Sequence, residues 1–109
     1  MLKEADMDLE NGCYNKAITA YWASIESILR AILLMIRKLP PEKPGKLMSV
    51  VQKELRKICP RFGEFANDIN EIYIHRRNIE HRSKMADLKL AQSVASKTKK
   101  VFGKLKRNR

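Results

Sequence analysis

Arg76, Arg77, Asn78 and His81 fall within six consecutive positions, Arg76-Arg77-Asn78-Ile79-Glu80-His81. Each side chain has a use at a phosphodiester. A guanidinium presents a planar fork of donors that fits phosphate oxygens. An imidazole titrates near neutral pH, so it can take or give a proton beside that phosphate. Asn78 can orient the histidine or a phosphate oxygen. With the 2′-hydroxyl of RNA as nucleophile, such a set breaks the strand without a metal, which suits a chain lacking any carboxylate or cysteine cluster. The same residues also have a structural use on a helix: Glu80 can pair with Arg76 or Arg77, and Glu71 with His75.

Positioning these groups is the work of a helix. At about 100° per residue, Phe62, Phe65, Ile69, Ile72 and Ile79 share one face. Arg76 lies in the middle of that stripe, so it must snorkel, pair with an acid, or face an opening between helices. Arg77 and His81 are four apart and neighbour each other on a second face. Arg76 and His81 are five apart, roughly 140° around the helix. They converge on one ligand only at a helix end or in a groove between two subunits, and either arginine can be the site arginine.

The rest of the chain reads as more helices. At 109 residues it is one domain, 1–109. Four glycines and four prolines among abundant Ala, Leu, Lys, Glu and Arg favour an all-α fold. A short polar helix over 2–11 stops at Asn11-Gly12. A long helix follows over about 13–38, with Tyr14, Ala17, Ile18, Tyr21, Ile25, Leu29 and Leu33 in its stripe, ended by Leu39-Pro40-Pro41. Trp22 on this helix is expected in a core or interface rather than as a platform for a base. Pro44 and Gly45 read as further stops, and a third helix covers about 46–58. The fourth spans about 61–82, and the fifth about 87–105 with Asp87 as N-cap. Short connections between amphipathic helices predict an antiparallel four- to five-helix bundle. The Gly12-to-Tyr21 stretch is similar to half of a tetratricopeptide repeat, but no second copy follows.

Charge and cysteine content narrow the partners. The net charge is +11, and residues 97–109 hold Lys97, Lys99, Lys100, Lys104, Lys106, Arg107 and Arg109 with no acid. A basic tail at about 99–109 attracts polyanions, RNA or a nucleotide first. Cys13 and Cys59 have no paired histidine spacing, so no metal or cofactor site is expected. No secretory signal precedes the acidic first residues, which predicts a cytoplasmic protein. The longest apolar run, Ala31 to Ile36, is too short to span a membrane, and no membrane partner is expected.

Two stretches resemble the HEPN domain, the all-helical family named for higher eukaryote and prokaryote nucleotide binding. The first is Gly12-x-Tyr14-x-x-Ala17, continuing through Tyr21-Trp22-Ala23 to Ile28-Leu29-Arg30-Ala31-Ile32-Leu33. The second is Arg76, four intervening residues, then His81, followed by one more amphipathic helix. The likeness spans about residues 4–105. It implies a homodimer with a composite site, and an activity as a metal-independent endoribonuclease of a toxin–antitoxin or defence system. It further implies Arg76 on the phosphate, His81 as the acid–base group, and a nucleotidyltransferase-like partner protein. The alternative within the family is a non-catalytic module that binds a nucleotide or such a partner. Ser83 stands where the toxin branch carries a tyrosine.

Overall fold

The computed structural model describes residues 2–58, 61–81 and 85–107. Among these the chain is all-helical, with α1 Leu2–Glu10, α2 Tyr14–Met35, α3 Pro44–Ile58, α4 Gly63–His81 and α5 Leu88–Arg107 packed as one bundle. The predicted helix order holds, and α2 is the central element, touching each of the other four. Its buried side includes Ala17, Ile18, Tyr21, Trp22, Ile25, Leu29 and Leu33. Burying each large apolar side chain contributes roughly 1.5–3 kcal/mol, and this helix supplies seven of the core residues. By length and composition α2 would suffice to cross a membrane; in the bundle one side of it is buried, while Leu34 and Met35 at its end are exposed.

The helix ends explain where the predicted boundaries shift. At the end of α1, Gly12 has φ 76°, its N–H donates to Leu9 O, and the N–H of Cys13 donates to Asp8 O at 2.8 Å. This is the Schellman arrangement that Asn11-Gly12 leads one to expect. The same pattern ends α2 earlier than its prolines predict. Arg37 has φ 63°, its N–H donates to Leu34 O, and the N–H of Lys38 donates to Leu33 O. An arginine thus occupies the left-handed position that usually takes glycine. Pro44 opens α3 instead of stopping a helix. The N–H of Leu47 donates to Lys43 O, so Pro44 holds the first helical position, where its missing N–H costs nothing. Asp87 caps α5 as predicted: Leu90 N donates to its Oδ1 at 2.8 Å.

Directions follow from the contacts between helices. Trp22 of α2 packs on Tyr73 of α4 with ring centroids 5.3 Å apart. The N–H of Ala86, just beyond α4, donates to Asn15 Oδ1 at the start of α2. These two contacts make α4 antiparallel to α2. Glu64 pairs with Lys104, Asp68 with Lys100 and Glu71 with Lys97, so α5 runs back along α4. Between α1, α2 and α5, the buried hydroxyl of Tyr21 donates to Asp6 Oδ1, and Lys99 Nζ lies 3.2 Å from the same oxygen. That hydrogen bond, more than the Lys99 charge, holds the Asp6 carboxyl below its ordinary range. Burial, with Asp6 second, pushes the Tyr21 phenol up.

Candidate functional site

The last two turns of α4 present the predicted set. Ile72 and Ile69 bury the helix in the core, while Ile79 is only partly covered. Arg76 follows the same stripe and is accordingly half-buried, its side chain 21% exposed. Its Nη2 lies 2.9 Å from Glu80 Oε1, one turn further on. Of the three fates open to this arginine, it takes the pairing with an acid. A guanidinium drawn toward an apolar face needs a nearby countercharge, and Glu80 is the acid that i, i+4 spacing places there. One donor is left over: Arg76 Nε is buried and has no acceptor among the described residues.

The neighbours of Arg76 differ in their surroundings. Arg77 is exposed, and no ion pair engages it among the described residues. Asn78 is half-buried, and its side chain makes no hydrogen bond among the described residues. His81 closes α4, and its side chain lies outside the described residues, as do Arg82 and Ser83. The helix therefore brings Arg76 and Glu80 together and leaves Arg77 open on the adjoining face.

His75 does not take Glu71 as its partner. Lys97 of α5 takes that carboxylate instead. Burial first, and the Lys97 charge second, lower the His75 pKa, with Glu71 opposing. Tyr73, on the turn before Arg76, packs on Trp22, whose indole N–H is buried without an acceptor among the described residues. A Cβ placed on Gly45 would meet Tyr73 Oη at 3.4 Å, so the start of α3 lies against this turn of α4.

The C-terminal lysines are less free than their run in the sequence suggests. Lys97, Lys99, Lys100 and Lys104 each lie within ion-pair reach of an acid: Glu71, Asp6, Asp68 and Glu64 respectively. Lys100 is 3.1 Å from Asp68 Oδ2, although that oxygen lacks hydrogen-bond geometry to any donor among the described residues. A legible signal existed. The acids are spaced four then three, and the lysines three then four, the mirrored order that antiparallel helices require.

Among the described residues, the largest group of unneutralised cations lies on and around α3. Lys43, Lys46 and Lys53 are exposed and unpaired among the described residues. Lys57 is 3.9 Å from Glu54, and Arg56 donates to Gln52 while lying 5.8 Å from the centre of the Phe62 ring. Two concave surfaces lie away from α3. An open groove of about 530 Å³ runs between α1 and α2 past Glu4, Asp8, Asn15, Lys16 and Thr19. A smaller one, about 250 Å³, lies between residues 12–16 and Met85-Ala86. Among the described residues no three His, Cys, Asp or Glu side chains gather in a way that could hold a metal ion. No family model, curated protein or solved structure matches this chain.

Proposed function

We propose that the chain is a HEPN-type RNA-binding protein that acts as a metal-independent endoribonuclease from a composite site across a homodimer. Arg76 or Arg77 holds the scissile phosphate, Asn78 orients it, and His81 exchanges the proton. The 2′-hydroxyl attacks phosphorus and gives up its proton, the 5′-oxygen leaves and gains one, and a 2′,3′-cyclic phosphate and a 5′-hydroxyl result. The observation that carries this reading is the donor set at the end of α4: an exposed Arg77 beside an Arg76 whose buried Nε lacks an acceptor among the described residues. A buried donor of this kind costs about 1–3 kcal/mol until an acceptor such as a phosphate oxygen reaches it. A cytoplasmic location and a nucleotidyltransferase-like partner belong to the same proposal and rest on the family resemblance alone.

The Arg76–Glu80 pair favours a second reading. An arginine already held by a carboxylate suits a non-catalytic module that binds a nucleotide or a partner protein. One experiment separates the two. Single-stranded RNA is incubated with the protein in EDTA, and cleavage is followed on a gel. Catalysis predicts cutting that His81→Ala reduces by at least about 100-fold and Arg76→Ala reduces through weaker binding. Cutting unchanged by His81→Ala, or no cutting despite tight RNA binding, sinks the nuclease and leaves the module.

A further inference from the structure

Among the described residues, the densest group of exposed, unpaired cations lies on and around α3, while Lys3, Lys16, Arg77 and Lys89 are scattered over the other helices. Residues 37–61 carry Arg37, Lys38, Lys43, Lys46, Lys53, Arg56, Lys57 and Arg61 against only Glu42 and Glu54. Leu47, Val51 and Leu55 turn one side of α3 into the core. Lys43, Lys46, Lys53 and Lys57 recur at three- and four-residue steps through position 50. Taking Lys43 as the residue just before the helix, they fall within a sector of about 80° that also holds Val50 and is centred about 120° from those core residues. From Lys43 to Lys57 the row is about 21 Å long.

We propose that this lysine face of α3 is the track on which an RNA strand lies, gripped through its phosphates. The proposal rests on the RNA-binding reading above and moves the electrostatic contact from the C-terminal lysines to α3. At roughly 3.4 Å of axis per phosphate on one strand, the row matches about six phosphates. The chemistry of the face selects this occupant. Among the described residues, none of the exposed large apolar side chains lies on α3, and the apolar side chain within the lysine sector, Val50, is partly buried against the core, so the face suits a polyanion better than a bilayer or an apolar pocket. Lys43, Lys46 and Lys53, unpaired among the described residues, are what a phosphate backbone engages, because each contact releases a condensed counterion; Lys57 would exchange Glu54 for a phosphate. The track also leads to the candidate site. Gly45, between Lys43 and Lys46, adjoins Tyr73, and Arg76 and Arg77 follow Tyr73 by one turn.

Fluorescence anisotropy with a labelled 20-nucleotide single-stranded RNA, titrated between 50 and 300 mM KCl, tests the track. The triple variant Lys43→Gln/Lys46→Gln/Lys53→Gln is compared with Lys3→Gln/Lys16→Gln/Lys89→Gln, which removes the same charge from exposed positions elsewhere. The α3 variant is expected to bind at least about 10-fold more weakly, with a salt slope smaller by about 2, since three contacts at 0.7 each are lost. The control variant keeps the wild-type slope. Lys43→Arg/Lys46→Arg/Lys53→Arg retains binding, which guards against a loss caused by misfolding. Equal losses in the two Gln variants overturn the track while leaving RNA binding intact. A wild-type protein that binds no RNA overturns the RNA-binding reading and the track with it. Binding to phosphatidylglycerol vesicles without RNA binding, lost in the same triple variant, also overturns it by assigning the face to lipid.

Discussion

At the scale of single residues, two arginines depart from the environment their type prefers. Arg76 sits on the core stripe of α4 and is held by Glu80. Its spacing from Ile72 marked it as unusual, and the acid that relieves it was legible four residues on. Arg37 is the second. It occupies the left-handed position of a Schellman turn, the same position that Gly12 fills at the end of α1. A non-glycine residue there carries backbone strain that glycine avoids. Arg37→Gly is therefore expected to raise stability by about 1 kcal/mol, read as a higher urea midpoint at unchanged slope. An unchanged or lower midpoint would mean that the arginine side chain offsets its own strain. This turn was not legible beforehand because the usual signal, a glycine or asparagine, is missing.

At the scale of elements, sequence reasoning located all five helices and the ends made by Gly12 and Asp87, and missed the end of α2 and the start of α3. Periodicity identifies a helix by the face it buries, and that depends only on residue spacing. Ends depend on a few hydrogen bonds, and Pro44 shows the ambiguity: a proline that can stop a helix also fits its first turn. The start of α5 is the clearer case. Asp87 accepts from Leu90 N, and the N–H of Ala91 closes the first turn on Asp87 O. Asp87→Ala should lower stability by about 1 kcal/mol, measured by thermal or urea unfolding. Asp87→Asn should restore most of the loss, because an amide oxygen can accept the same bond. If both variants lose equally, the carboxylate contributes through charge at the helix start rather than through the cap.

At the scale of the molecule, the bundle sorts its charges. The acids of α1 and α4 meet lysines of α5, while Lys43, Lys46 and Lys53 at α3 stay exposed and unpaired among the described residues. Individually, exposed pairs of this kind contribute about 0.2–1 kcal/mol. Their larger effect is on where the positive field emerges. The same arrangement sets the response to acid. His75 has its pKa lowered in the folded state, so protonation favours unfolding as pH falls below the ordinary histidine value of about 6.5. Asp6 is also lowered; its contribution is present above the ordinary carboxylate value and is lost as pH falls through its folded value. Stability should thus be level between neutrality and about pH 9, fall above the ordinary phenol value of about 10 because the Tyr21 pKa is raised, and decline in two stages on acidification. Urea midpoints at pH 7.5 and 5.5 should differ in the wild type and differ less in His75→Gln. A difference untouched by that substitution would place the first stage on another group.

The sequence by itself determined the helical class, the five amphipathic elements, the capping aspartate and the Arg76-to-His81 cluster. All of these rest on local spacing along one helix, which a linear chain carries explicitly. Only the tertiary structure decided which cations remain free. A lysine run looks uniformly available in one dimension, and its availability depends on which acids a second helix brings opposite it. Glu64, Asp68 and Glu71 are opposite α5, so Lys104, Lys100 and Lys97 are engaged there. No such row faces α3. Charge neutralisation requires proximity between segments distant in sequence, and packing of the core around α2 is what sets that proximity.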